Sequence, residues 1–268
     1  MKGREPDTRS SAEHPFLIVG WNGDDGRVGS EVLAFLIDRL VCENYSAIEP
    51  EDFFPLDGVT LEDDCIQFPE SVFFTRSQND FILFKSTEPE SDHYRFLSIL
   101  LGTAESRGRI GEMYTVNGMS SQITHDAPRR IFAAFNSPEL EDMLRAHNLE
   151  ELSWEGMPAA STLLLWMAWK RSIPGLSLWL EVPFYLASVR DYQAIKTALS
   201  FFGERFNLGL DLEGLDRRIR RQNDELDRLR TENFEINRYL GLLESGLGLK
   251  EDIRVKLARE VYPHLRDI

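Results

Sequence analysis

The stretch "FLIVGWNGDDGRVGSEVLAFLIDRL", residues 16–40, decides the fold. Its first four residues form a short apolar run typical of a buried strand. The apolar spacing from Val28 to Leu40 is typical of a helix. Asp24 or Asp25 would cap that helix, because a carboxylate accepts hydrogen bonds from the free N–H groups of a first turn. The stretch therefore predicts a strand, a tight turn and a helix.

Glycine recurs in this turn at Gly20, Gly23, Gly26 and Gly29, which raises the question of a phosphate cradle, a metal site or a plain turn. Neither the pattern G-x-x-x-x-G-K-[ST] nor G-x-G-x-x-G is present. Arg27 is the nearest cation, and two carboxylates would repel a phosphate unless a divalent cation intervened. We predict a capped turn, whose ligand, if it has one, is a cation rather than a bare phosphate.

Apolar strand-like runs alternate with helical runs over residues 15–207. Several strands are apolar throughout, which is typical of a sheet covered on both faces. Two adjoining segments around residues 77–80 resemble a hairpin, so the sheet should be mixed. We predict an α/β fold, a three-layer α/β/α domain with a mixed sheet, preceded by a disordered tail at 1–14 and followed by a helical, coiled-coil-like region at 208–268.

That C-terminal region shows apolar residues at alternating spacings of three and four, the pattern of a coiled coil. The residues predicted for self-association are Leu212, Leu215, Ile219, Leu226, Leu229, Asn233, Ile236 and Leu240. Asn233 occupies a core position, where a polar residue can fix the register. Packing of this helix within its own chain is an equal alternative, because residues 250–265 can supply a partner helix.

The chain carries 45 acidic and 30 basic residues, for a net charge of -15. This balance argues against nucleic acid and anionic membranes as partners. The acidic residues are dense between 43 and 92, either as a solvated face or as a docking surface for a basic partner. The first fourteen residues lack a signal-peptide core, no apolar run could span a membrane, and Cys42 and Cys65 are too few for a disulfide framework. We expect a cytoplasmic protein.

Polar and aromatic residues near predicted strand ends are the candidates for a binding cleft, because ligands of open α/β sheets bind at the carboxyl ends of strands. The candidates are Trp21, Asn22, Asp24, Asp25, Trp154, Glu155, Gly156, Glu181 and Tyr185. If they converge, an acidic cleft could bind a cation or an amine; otherwise they shape turns and cap helices. No base–nucleophile pair and no zinc-type histidine spacing is visible, so we expect no catalytic residue, no metal and no cofactor.

Three stretches taken in order, residues 16–40, "SWEGMPAASTLLLWMAWKRSIPGLSLWLEVPFYLA" at 153–187 and "YLGLLES" at 239–245, resemble the proteasome assembly chaperone 2 family, also labelled ATP-grasp-like. The resemblance implies an α/β/α domain of the phosphorylase/hydrolase-like kind with a helical C-terminal part. It also implies protein partners and a homo-oligomer, a trimer being one candidate state. In eukaryotes and archaea it implies a role in assembling proteasome rings.

Two features depart from that family. Members that dock on proteasomes end in a hydrophobic residue, a tyrosine and one further residue, whereas Val261, Tyr262 and Pro263 are internal here. The ATP-grasp label implies a nucleotide loop, which the sequence does not show. The main hypothesis is a non-catalytic, assembly-chaperone-like protein that works through protein contacts. The alternative is a small-molecule-binding protein or a hydrolase/phosphorylase-like enzyme with an acidic cleft at the strand ends.

Overall fold

The computed structural model describes residues 14–50, 52–54, 60–62, 65–78, 80–152 and 159–268. The strand and helix predicted at residues 16–40 are confirmed as β1 (Phe16–Asn22) and α1 (Val28–Arg39), joined by a 3-10 turn at Asp25–Arg27. The middle of β1 is buried on both faces because it lies inside the sheet. The disordered tail was predicted for residues 1–14, of which 1–13 lie outside the described residues.

Eight strands of the described residues form one sheet in the order β2-β5-β6-β1-β7-β10-β8-β9, and β3 and β4 form a separate hairpin. Besides β1, the strands are β2 (Glu43–Ala47), β3 (Thr60–Glu62), β4 (Cys65–Gln67), β5 (Ser71–Thr75), β6 (Phe81–Thr87), β7 (Glu112–Ser121), β8 (Ile131–Phe135), β9 (Glu150–Glu151) and β10 (Gly175–Pro183). Strands β6, β1, β7 and β10 are parallel, whereas β5 is antiparallel to β6 and β8 to β10. The predicted mixed sheet is confirmed.

Helices cover both faces of this sheet, as the three-layer prediction requires. After α1, the helices are α2 (His93–Glu105), α3 (Glu141–Ala146), α4 (Ala160–Lys170), α5 (Tyr192–Phe206), α6 (Glu213–Glu232), α7 (Phe234–Glu244) and α8 (Glu251–Leu265). Helices α2 and α4 pack with one face of the sheet in one hydrophobic cluster. Helices α1 and α5 pack with the other face in a second cluster, which also includes α6, α7 and α8. None of the helices in the described ranges is both long and apolar enough to cross a membrane.

Two glycines let α1 approach the sheet closely. A methyl group at Gly29 would lie 2.6 Å from the carbonyl oxygen of Val116 in β7, and one at Gly20 would lie 2.5 Å from the carbonyl oxygen of Gly29. Any side chain at these positions would push the helix away from β1 and β7. The close approach therefore explains why glycine stands at both positions.

The C-terminal helices correct the prediction of one continuous heptad helix. Helix α6 ends before Asn233, which adopts an extended conformation with φ -123° and caps α7 instead of occupying a coiled-coil core. Its Oδ1 atom accepts hydrogen bonds from the N–H groups of Glu235 and Ile236 at 2.9 and 3.2 Å. The heptad pattern does not predict this break between α6 and α7, because asparagine occurs both at coiled-coil core positions and at N-caps.

The apolar seam of these helices is buried within one chain. Helix α6 packs on α5, α7 and α8. Leu226, Leu229 and Ile236 are at most 4% exposed. Packing within the chain, the alternative left open by the sequence, is therefore present in the structure. Leu212 and Ile219 are only half-buried.

The change Asn233→Leu distinguishes the two roles of this residue. A leucine would strengthen a coiled-coil core, but here it removes the two cap hydrogen bonds of α7. We expect the free energy of unfolding to fall by about 1 kcal/mol, the usual cost of losing an N-cap. Urea unfolding followed by circular dichroism measures it, and a stabilised variant would contradict the cap.

The change Gly29→Ala tests the close approach of α1 to the sheet. We expect a loss of about 1–3 kcal/mol or more, because the new methyl group meets backbone atoms that cannot move aside. Gly241→Ala in α7 is the matched control, since nothing lies within 4 Å of the added atom there. Removing a glycine from that helix should stabilise the protein by about 0.5–1 kcal/mol. Equal effects in the two variants would refute the packing argument.

Candidate functional site

The parallel strands β6, β1, β7 and β10 end at one edge of the sheet, where the candidate residues were predicted to lie. This carboxyl edge is the usual ligand site of open α/β sheets. The turn after β1 contributes Asp24 and Asp25, and the end of β10 contributes Glu181. The candidates Trp154, Glu155 and Gly156 lie outside the described residues.

Asp24 joins the first strand-to-helix turn to the centre of the sheet. Its Oδ2 atom accepts hydrogen bonds from the N–H groups of Gly29 in α1, at 2.9 Å, and Gly118 in β7, at 2.7 Å. The Oδ2 atom of Asp25 accepts another from the N–H group of Ser120 at 2.7 Å. The predicted cap is thus also a link between distant segments, which the sequence pattern did not indicate.

The charge of Asp24 is unusually sensitive to pH near neutrality. Burial raises the pKa of Asp24 to about 7, although the hydrogen bonds from Gly29 and Gly118 oppose the rise. Its other oxygen, Oδ1, is shielded from solvent and has no hydrogen-bond partner among the described residues. Burial also raises the pKa of Asp25. A carboxyl group that is neutral in part at physiological pH is a weak ligand for a cation.

Glu181 lies at the end of β10 but is neutralised by a neighbouring arginine. Its two carboxylate oxygens accept hydrogen bonds from Nε and Nη2 of Arg130 at 2.7 and 2.9 Å, and Oε1 also accepts one from Ser121 at 3.0 Å. The carboxylate is nearly sealed from solvent. The hydrogen bond to Glu181 is the main reason that the pKa of Arg130 is raised. Glu181 therefore serves an internal ion pair.

Tyr185 forms a buried pair with His125, which lies between β7 and β8. The Tyr185 hydroxyl and His125 Nδ1 are 3.1 Å apart. Burial raises the pKa of Tyr185 and lowers that of His125. The Nε2 atom of His125 lies 3.6 Å from a carboxylate oxygen of Asp227 on α6. The pair thus connects the carboxyl edge with the C-terminal helices.

Trp21 takes part in a polar chain inside the protein and does not face a cleft. Its Nε1 donates to the hydroxyl of Ser161 on α4 at 2.8 Å, and that hydroxyl donates to Oδ1 of Asn117 on β7 at 2.7 Å. Asn117 in turn donates to the carbonyl of Leu178 on β10 at 3.0 Å. Asn22 lines a separate groove of about 380 Å³ between α1 and strands β5 and β6.

Arg129 and Asp191 form a buried ion pair that sequence reasoning missed. Arg129 Nε donates to Asp191 Oδ2 at 2.7 Å, and both side chains are at most 1% exposed. The Oδ1 atom of Asp191 caps α5 by accepting hydrogen bonds from Gln193 and Ala194. The capping position of Asp191 before a helical run could have been found from sequence. No local signal identifies Arg129 as its partner.

The described candidates thus have separate sets of partners at the carboxyl edge. Asp24 and Asp25 bind backbone N–H groups, Glu181 pairs with Arg130, and Tyr185 pairs with His125. Among the residues that the structure describes, no group of three or more histidine, cysteine or carboxylate side chains could hold a metal ion. The hydrogen bonds and ion pair of these side chains link the loops at this edge to one another.

The pKa of Asp24 makes stability depend on pH. Between the ordinary aspartate pKa of 3.8 and the raised pKa of about 7, the folded state holds a proton that the unfolded state has lost, so stability falls as pH rises through this range. From pH 5 to pH 8 we expect the Asp24 contribution to fall by about 1–3 kcal/mol. The variant Asp24→Asn should lose this part of the dependence, whatever its absolute stability, in urea titrations at both pH values.

Asp38→Asn is the matched control for that titration. Asp38 is 83% exposed on α1, and its replacement should leave the difference between pH 5 and pH 8 unchanged. If Asp24→Asn kept the full pH dependence of the wild type, Asp24 would have an ordinary pKa. The raised pKa that we derive from burial of its carboxyl group would then be refuted.

Comparison with protein families gives one match over most of the chain. The model of the PAC2 family matches residues 17–230. No curated protein matches the chain. The match runs from the second residue of β1 through the rest of the mixed sheet and to Arg230, near the end of α6.

Solved structures share the fold at low sequence identity. Mycobacterium tuberculosis Rv2714, a protein of unknown function, has a TM-score of 0.75 and 19% identity, and the match covers 98% of this chain and 95% of that one. The proteasome-assembly chaperone homologue Rv2125 of the same organism has a TM-score of 0.71 and 18% identity, covering 84% of this chain and 99% of that one. PbaB of Pyrococcus furiosus, an archaeal proteasome activator, has a TM-score of 0.68 and 22% identity, covering 82% and 95%.

Proposed function

The chain belongs to the PAC2 family, and from this premise we propose that it is a non-catalytic protein that acts through protein contacts, in the manner of an assembly chaperone. Structures of the same fold include a proteasome-assembly chaperone homologue and an archaeal proteasome activator. These relatives support the proposed class of activity, and the surface of this chain supplies an independent argument.

The observation that carries the proposal is a pair of exposed tryptophans on α4. Trp166 and Trp169 are 43% and 59% exposed, although they lie on a helix whose other side is fully packed against the sheet. Their spacing of three residues places them on one face. Lys170 Nζ lies 4.2 Å from the ring centre of Trp166. Tryptophan is enriched among the residues that dominate protein interfaces, because it buries a large area and keeps a polar N–H group.

The carboxyl edge of the sheet argues against the alternative of an enzyme with an acidic cleft. Asp24 and Asp25 accept hydrogen bonds from the backbone, and Glu181 is held by Arg130 and Ser121. A catalytic acid or base needs a lone pair or proton that can reach a substrate. In the part of the edge that the structure describes, these carboxylates are committed to internal contacts.

Three finer features belong to the same proposal. We propose a cytoplasmic protein that forms a homo-oligomer, with a trimer as one candidate state. We propose further that the C-terminal helices at 208–268 act as a coiled-coil-like support for the sheet domain. Their burial against α5 supports that role, since the seam then stabilises one chain before any assembly forms.

Affinity purification of the tagged full-length protein from its native cells, followed by mass spectrometry, tests the contact role. We expect at least one protein to co-purify in a fixed ratio. The double variant Trp166→Ser/Trp169→Ser should reduce that recovery at least tenfold, because loss of one central tryptophan contact typically costs about 2 kcal/mol. Phe234→Ser is the matched control, since Phe234 is an aromatic residue 80% exposed on α7 and should not affect recovery.

Two outcomes would count against this function. If the double variant recovered the same proteins as the wild type, the face of α4 that carries Trp166 and Trp169 would not be the contact surface. If the wild type recovered no protein in a fixed ratio, the chaperone-like role would fail. Proteasome subunits among the partners would extend the role of the named relatives to this chain.

A further inference from the structure

One face of α6 carries an arginine stripe, which we define as Arg217, Arg220 and Arg221. Their spacing of three and four residues puts them side by side on the helix, and all three are exposed. With Arg228 they line an open groove of about 530 Å³. None of the three forms an ion pair with any residue that the structure describes. Other cations of the C-terminal helices do, as Arg230 does with Glu244.

Unpaired arginines are unexpected in a chain with 45 acidic and 30 basic residues. Carboxylates are abundant in the chain, yet none of the described ones forms an ion pair with an arginine of the stripe. Asp224 and Glu225 also line the groove, but Glu225 is paired with Arg228. The stripe therefore presents local positive charge on an acidic protein, and its planar guanidinium groups are suited to carboxylates.

The opposite charge is concentrated at one corner of the sheet, which we call the acidic corner: Glu49, Glu70 and Glu90. The pairing of Ala47 with Val72 and of Ser71 with Ser86 brings the end of β2, the start of β5 and the end of β6 together. Glu49 and Glu70 lie next to these ends, and Glu90 lies three residues beyond β6. All three are exposed, and none forms an ion pair with a residue in the described ranges.

The fold keeps the stripe and the corner apart within one chain. Strands β1 and β7 lie between β6 and β10 in the sheet. Helix α6 packs on α5, which contacts β10 and α1. At about 4.8 Å per strand, β6 and β10 alone are about 14 Å apart, beyond the screening length of about 8 Å at physiological salt. The two surfaces therefore do not neutralise each other in the same molecule.

We propose that the arginine stripe of one copy docks against the acidic corner of a second copy. The proposal rests on the homo-oligomer proposed above and names the two surfaces that build it. A single stripe-to-corner contact is heterologous and repeats from copy to copy, closing into a ring if the rotation permits, whereas two reciprocal contacts close a twofold dimer. The net charge of -15 opposes unspecific contact between copies, so it favours the one orientation that joins opposite charges.

Charge reversal in the full-length protein tests the contact. The stripe variant is Arg217→Glu/Arg220→Glu/Arg221→Glu, and the corner variant is Glu49→Arg/Glu70→Arg/Glu90→Arg. The control, Arg109→Glu/Arg238→Glu/Arg259→Glu, makes the same change in net charge at three other exposed arginines. Sedimentation equilibrium at one fixed salt concentration gives the dissociation constant of self-association, and circular dichroism checks folding.

We expect each reversal to weaken self-association at least tenfold and the control to leave it within about threefold of the wild type. A chain carrying both reversals should associate again, and so should a mixture of the two single-surface variants, since opposite charges then face each other. If the stripe variant did not fold, the corner variant would carry the same test, because it alone should weaken association.

Each contrary result has a distinct meaning. A wild type that remains a monomer refutes both the homo-oligomer and this contact. An oligomer that survives unchanged in the stripe variant and also in the corner variant refutes only this contact. Loss of association in the stripe variant alone, with no effect of the corner variant, would assign the stripe to another acidic surface and overturn the pairing proposed here.

Discussion

The carboxylate of Asp24 is the contact on which the carboxyl edge of the fold depends. One oxygen receives the N–H groups of Gly29 and Gly118, so the start of α1 and the middle of β7 are held to the same atom. Such a link requires α1 to lie close to the sheet, which Gly20 and Gly29 permit. The cost is a buried carboxyl whose pKa rises to about 7 and whose second oxygen is left without a partner among the described residues.

Further buried charges extend this link to the neighbouring loops. The N–H group of Asp191 donates to the carbonyl of Gly26, and the side chain of Asp191 receives Arg129. Removing one partner of a buried ion pair typically costs about 3–5 kcal/mol, because the other charge stays buried and unpaired. The loops after β1, β7 and β10 are therefore fixed to one another. In the described part of the edge that binds ligands in many α/β proteins, these side chains hold the loops together.

Local pattern was enough to predict β1, its turn, α1, the mixed sheet and the three layers, because each depends on neighbouring residues and on apolar spacing. The hydrogen-bond and ion-pair partners of the candidate residues could not be predicted, because they lie far away in the sequence. Trp21 and Ser161 are 140 residues apart, and Glu181 and Arg130 are 51 apart, so only the folded chain brings them together. At Asn233 the sequence pattern allowed two interpretations. The regular heptad spacing predicted a continuous helix, whereas in the structure the same residue is the N-cap of α7.

The burial of the C-terminal seam decides which surfaces remain for other proteins. Leu226, Leu229 and Ile236 already pack within the chain, so an interface built from them would first have to separate α6 and α7 from their neighbours. Exposing one such side chain costs about 1.5–3 kcal/mol, and several would cost more than a typical weak contact returns. Contacts with other proteins that leave the chain folded must therefore use side chains that are exposed in the folded chain. On α4 that is an aromatic face, and on α6 it is the charged side of a helix whose apolar side is occupied.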